Sequence, residues 1–367
     1  MSVTRRGFLA AVGAAGVSTT ALGRASAEPG KAASSAMSTV YIGSFTDPGL
    51  AVGTVDDATG ELAVGGSIAV AHASFLAYNA DRTRLYTTNE QDDGGVTALS
   101  VTNPANPVVL NRQSSRGSTP THVSVHQSGY LLTANYGDGT VVVHRIAEDG
   151  SLGESTGLVQ HQGTDREPHA HQIVTDPSGQ WVLAVDLGAD SVYVYALDAD
   201  AGTLTKHQQL SLPTGAGPRH LAFHQNGALA YVLGELRAEI TVCAWDAAAG
   251  RLTAGQVVPT VPPDAPGPNY PSEIAVSSDG RFVYAANRGE NTIAAFSTDG
   301  DQLTHLGNTP CGGDWPRHFT LSPDETRVYV SNQNANTINV LPRDPETGQL
   351  TESASSTAVQ SPGIVLF

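Results

Sequence analysis

From residue 39 onward the chain is a succession of short apolar runs, each closed by a small polar turn, and this predicts strands throughout. The runs share one pattern. A Pro opens a first strand, a turn with Gly or Asp follows, and a second strand ends in Asn or Asp. A Thr or Ser beside a β-branched residue then opens a third. Pro271-Ser272-Glu273-Ile274-Ala275-Val276, the turn Ser278-Asp279-Gly280, the strand Phe282 to Asn287 and Thr292-Ile293 show it plainly. Pro316 repeats it, with the strand Val328 to Asn332 and then Thr337-Ile338.

Further copies start at Ser74, Pro120, Pro168 and Pro218, so the six starts follow one another at 45 to 53 residues. Each interval holds about four short strands, the size of one blade of a β-propeller. A seventh copy is split. Pro362-Gly363-Ile364-Val365-Leu366-Phe367 begins it, and Val40-Tyr41-Ile42-Gly43-Ser44 supplies its second strand from the other end of the chain. The expectation is an all-β fold, a seven-bladed β-propeller whose ring is closed by a blade shared between the two termini. That closure removes the open sheet edges an unjoined array would leave.

Residues 1–27 have a different character. Arg5-Arg6-Gly7-Phe8-Leu9, a short Ala- and Gly-rich stretch, and Ala25-Ser26-Ala27 predict a twin-arginine signal peptide with a small-residue cleavage site. The expected partner is the twin-arginine export machinery, and the expected location is outside the cytoplasm, secreted or periplasmic. Residues 28–38 are small and polar and read as a flexible leader; residues 39–367 form the propeller domain. The net charge of −16 excludes nucleic acid and an anionic membrane surface as partners of the processed chain. Cys243 and Cys311 are too few for a disulfide framework and read as buried thiols.

Candidate chemistry follows from repeat phase. The residue after the leading Pro and the residue after the second strand meet at the same end of each hairpin, hence at one rim of the ring. The position after the second strand holds Phe45, Glu90, Tyr136, Leu187, Glu235, Arg288 and Gln333. Near the leading Pro stand His169, His171, Arg219, His220, Glu273 and Arg317. His122, His220 and His318 recur at one phase, which suits structural hydrogen bonding, and Glu90 reads as a solvated loop residue. His171, Arg219, Glu235 and Arg288 each occur once in their setting and are predicted to surround a pocket at the channel mouth. His169-Ala170-His171 places two imidazoles on one strand face, but no third ligand follows, so no metal and no cofactor is predicted.

The chain resembles the seven-bladed lactonase family, which includes propeller-type 6-phosphogluconolactonases and fungal carboxymuconate lactonising enzymes. The resemblance covers residues 39–367. It is carried by Val40-Tyr41-Ile42-Gly43-Ser44-Phe45-Thr46, Pro168-His169-Ala170-His171-Gln172 and Gly217-Pro218-Arg219-His220, with Tyr270-Pro271-Ser272-Glu273-Ile274 and Ala286-Asn287-Arg288. It implies that His171, Arg219, Glu235 and Arg288 are catalytic; His169, His220, Glu273 and Arg317, which stand near them in repeat phase, are expected to contact substrate. It also implies hydrolysis of a small sugar or carboxylic-acid lactone. The Arg residues would hold a carboxylate or polarise the carbonyl, and Glu235 or His171 would move the proton. A muconate-type cycloisomerase and a non-catalytic binding propeller are the alternatives.

Overall fold

The computed structural model describes residues 36–163 and 165–367. The signal peptide assigned to residues 1–27 lies outside the described residues, as does residues 28–35 of the leader. The leader ends sooner than expected. Met37 and Ser38 already pair with Asp56 and Val55, so the first strand takes in the last two leader residues.

The described residues form seven four-stranded antiparallel sheets. In the first, Pro362–Leu366 is the inner strand, followed outward by Met37–Ser44, Gly49–Asp56 and Leu62–Ala69. Tyr41, Ile42 and Gly43 pair with Leu366, Val365 and Ile364, which is the predicted joining of the termini. The other inner strands are Leu76–Tyr78, Pro120–His126, Ala170–Thr175, Pro218–Phe223, Tyr270–Val276 and Pro316–Leu321. Each contacts the next, and Pro316–Leu321 and Leu76–Tyr78 both contact Pro362–Leu366, so the ring is closed.

The core lies between blades. Alternate residues of one strand face opposite neighbours: Val182 and Ala184 pack on the third blade, Leu183 and Val185 on the fifth. Seven such apolar wedges fill the seven junctions. Both cysteines are free and buried within these layers.

A polar stitch accompanies six of the seven wedges. An aromatic side chain early in the second strand donates to a backbone carbonyl in the outer turn of the next blade. Tyr41 reaches Pro104 O at 2.9 Å, Tyr86 Gly150 O at 3.0 Å and Tyr130 Ala199 O at 2.9 Å. Trp181 Nε1 reaches Ala247 O at 2.8 Å, Tyr284 Gly348 O at 2.8 Å and Tyr329 Gly60 O at 2.9 Å. Tyr231, the fifth-blade counterpart, is buried with no partner for its hydroxyl. Buried tyrosines ordinarily find one.

Two substitutions separate packing from the stitch. Tyr329→Phe removes a made hydrogen bond and strands Gly60 O, and is expected to cost about 1 kcal/mol. Tyr231→Phe removes only an unsatisfied hydroxyl and is expected to be neutral or slightly stabilising. Urea unfolding of the two variants checks this; equal losses would contradict it.

Candidate active site at the channel mouth

The site is built by a bulge. The register between the first two strands skips a step after Pro120, Ala170, Pro218, Pro271 and Pro316, and again at Pro362. The skipped residue is freed from the ladder, and bulges of this kind re-aim side chains. It is Thr121, His171, Arg219, Ser272, Arg317 and Gly363 in turn. Several of these bond the next blade: Thr121 Oγ1 donates to His171 O at 3.1 Å, Ser272 Oγ to Pro316 O at 2.5 Å, and Arg219 Nη1 to Ser272 O.

This register corrects two starts. In the fourth blade Ala170, not Pro168, pairs with Asp186 in the place of the leading Pro. His171 therefore shares the phase of Arg219 and Arg317, while His169 precedes the strand. The two imidazoles do not share a strand face. In the second blade Thr88 N bonds Phe75 O, which puts Phe75 in the phase of His122, His220 and His318 and leaves Ser74 in that of Arg219.

Four predicted residues come together. Glu235 begins directly after the second strand, and its backbone N bonds Gly217 O at 2.8 Å. Its Oε2 lies 2.7 Å from Arg288 Nη2 and 3.2 Å from Arg219 Nε. The Arg219 contact is an ion pair without hydrogen-bond alignment. Arg288 is further held by Tyr270 O at 2.7 Å and Pro271 O at 3.2 Å, with Trp315 under its guanidinium. Both Arg side chains are almost fully buried. One carboxylate shared by two guanidinium groups offsets their desolvation. His171 sits beside them, its ring 5.1 Å from His220 and 5.6 Å from Tyr136. Burial first, then Arg219 and its neighbours, push the His171 pKa well below the ordinary imidazole value. Its buried Nδ1 has no hydrogen-bond partner.

The four residues predicted to contact substrate divide. His169 is engaged with Tyr136, bonding its carbonyl at 2.8 Å and stacking on its ring at 4.5 Å. His220 and Glu273 bond each other at 3.1 Å inside the channel, and His318 Nε2 reaches the same carboxylate at 3.0 Å. Burial raises the Glu273 carboxyl pKa and lowers those of His220 and His318, the last to about 4. The Phe75 ring packs against His122, tilted by 35° with centroids 4.1 Å apart. Arg317 lines a cavity with Phe45, Ser74, Glu90 and Arg219, and His220 and His318 line it too. Among the described residues no group of three His, Cys, Asp or Glu is arranged to hold a metal.

Two features escaped the sequence. Glu90 is not a solvated loop residue; its side chain is 16% exposed and accepts a hydrogen bond from Ser74 Oγ. Asp186 closes the second strand where four other blades place Asn. Asn89, Asn135, Asn287 and Asn332 each donate to a carbonyl of the preceding connection. Asp186 cannot donate. Its Oδ2 instead meets His161 Nδ1 at 2.7 Å, and Tyr195 OH closes the row on His161 Nε2 at 2.9 Å. Oδ1 accepts the backbone N–H groups of His169 and Ala189, both at 2.8 Å. The segment leading into His171 is thus tied to a fully buried Asp–His pair. An Asp among Asn residues was the available signal.

Comparison with known proteins agrees with this architecture. The family described as lactonase, 7-bladed β-propeller, matches residues 39–367. A 6-phosphogluconolactonase of Bacillus subtilis is 35% identical over 304 residues, covering 80% of this chain and 86% of its own. A solved protein from Lactobacillus plantarum superposes with TM-score 0.85 at 33% identity, over 90% of this chain and 99% of that one. The periplasmic gluconolactonase of Pseudomonas aeruginosa superposes with TM-score 0.84 at 28% identity, over 90% and 98% of the two chains.

Asp186→Ala would leave His161 and two backbone N–H groups without their acceptor. The expected loss is about 3 kcal/mol in urea unfolding, with faster amide exchange at His169 and Ala189. Unchanged exchange at His169 would show that Asp186 does not order that segment.

Proposed function

We propose, from the premise that this chain belongs to the seven-bladed β-propeller lactonase family, that His171, Arg219, Glu235 and Arg288 open the ring of a small polyhydroxylated lactone with water. The observation that carries this reading is the Arg219–Glu235–Arg288 cluster beside an imidazole at one channel mouth. Water attacks the lactone carbonyl carbon, His171 accepts the proton that water loses, and negative charge grows on the carbonyl oxygen. Arg219 faces that charge. The ring C–O bond then breaks, the ring oxygen takes the proton back from His171 to become the hydroxyl of the hydroxy acid, and the new carboxylic acid gives its proton to solvent. Glu235 holds the two guanidinium groups in place, since its Oε2 is engaged by both. His171 suits the base role because its lowered pKa keeps it neutral and able to accept a proton.

The assay is proton release from a panel of lactones, phosphorylated and not. His171→Ala is expected to lower kcat by about 10²–10⁴ with a smaller change in KM. A neutral imidazole is required, so activity is present above the folded pKa of His171 and lost as pH falls through it. That pKa is depressed, so the acid limb of kcat/KM is expected below the ordinary imidazole value of about 6.5. Full activity in His171→Ala, with Glu235→Gln inactive, would give the base role to Glu235 instead.

Export belongs to the same reading. It is supported by Arg5-Arg6 ahead of an apolar stretch and by the solved gluconolactonase that is periplasmic. Replacing Arg5-Arg6 with two Lys is expected to hold the protein in the cytoplasm; cell fractionation reads the outcome, and normal export of the variant would refute the twin-arginine route.

A further inference from the structure

Three guanidinium groups reach the mouth, and two are already bonded. Arg288 has two backbone carbonyls and Glu235; Arg219 has Ser272 O and Glu235. Arg317 is different. Its contacts are Glu90 Oε1 at 3.9 Å and the face of the Phe45 ring at 5.1 Å, while its side chain is only 18% exposed. A separation of 3.9 Å is too long for a hydrogen bond. The guanidinium fork therefore carries its donors into the cavity without an acceptor.

Glu90 is the complementary half. It takes one hydrogen bond, from Ser74 Oγ, and its other oxygen faces Arg317. Burial raises its carboxyl pKa, opposed by Arg317 and Ser74. Both groups line the cavity that Arg219 also lines, and Arg219 joins that cavity to the catalytic cluster through its ion pair with Glu235. The far wall is backbone: a Cβ on Gly363 would lie 2.5 Å from Ser74 O, so that approach leaves no room for a side chain. Under-bonded polar groups that are largely buried are costly, and a ligand that bonds both removes that cost.

The chemistry of the pair defines the ligand. A donor fork beside an acceptor carboxylate matches hydroxyl groups, each of which donates and accepts. A phosphate would satisfy Arg317 but would press its charge on Glu90. We propose that Glu90 and Arg317, with Ser74, form a hydroxyl-recognition subsite that selects polyhydroxylated, unphosphorylated lactones. This rests on the lactonase reading for its substrate and on the cavity for its geometry.

The test compares Glu90→Gln and Arg317→Lys, both close in shape to the native residues, with the wild-type chain. The substrates are glucono-δ-lactone, its 6-phosphate and δ-valerolactone, which has no hydroxyls. The wild type should favour glucono-δ-lactone over both others in kcat/KM. Either variant should reduce its discrimination against δ-valerolactone at least tenfold, and Glu90→Gln should also narrow its discrimination against the 6-phosphate. A parallel titration measures binding of gluconate and of 5-hydroxypentanoate, and the preference for gluconate should fall by the same factor. Discrimination unchanged in both variants overturns the subsite. A wild-type chain that turns over no lactone but binds gluconate in preference overturns the lactonase reading alone.

Discussion

No blade of this protein can bury its own two faces. Each four-stranded sheet is apolar on both sides, and only a neighbour on each side removes that surface from water. Seven apolar wedges satisfy seven blades only if the last meets the first, so the inner strand Pro362–Leu366 must join Met37–Ser44. This closure is the constraint on which the rest depends. It also fixes the inner strands in contact around one axis, where their equivalent positions become neighbours.

The site uses that symmetry and then departs from it. The bulge frees one residue per blade at the same rim, and the fold needs no particular side chain there. Gly363, Ser74, Thr121 and Ser272 fill the position in four blades with small groups, and His171, Arg219 and Arg317 fill it with ionisable ones. The chemistry is therefore unevenly spread round the ring. Arg219, Glu235 and Arg288 come from the fifth and sixth blades, His171 from the fourth, and Glu90 and Arg317 from the second and seventh, on either side of the first. Concentrating cations in a buried mouth has a cost that Glu235 offsets, and burial first, then the same cations, lower the His171 pKa.

The repeat was legible because strand period, turn residues and the closing Asn are local signals. They gave the blade count, the split first blade and the meeting of Arg219 with Glu235. Register was less legible. A Pro two residues early in the fourth blade hid the place of Ala170, since a Pro can stand before a strand as easily as open one. Glu90 and Glu235 occupy one phase and look alike as letters, yet only neighbours on adjacent blades decide what each carboxylate faces.

By itself, then, the order of residues determined the architecture and the rim on which the ionisable groups stand, because both follow from periodicity within a single blade. Which of those groups touch was decided only by the closed ring. His161 and Asp186 lie 2.7 Å apart across a blade junction, and Arg317 meets Glu90 only because the termini join between them. Such pairings depend on the distances between blades and on the water each junction excludes, and neither is written in any local run of the chain.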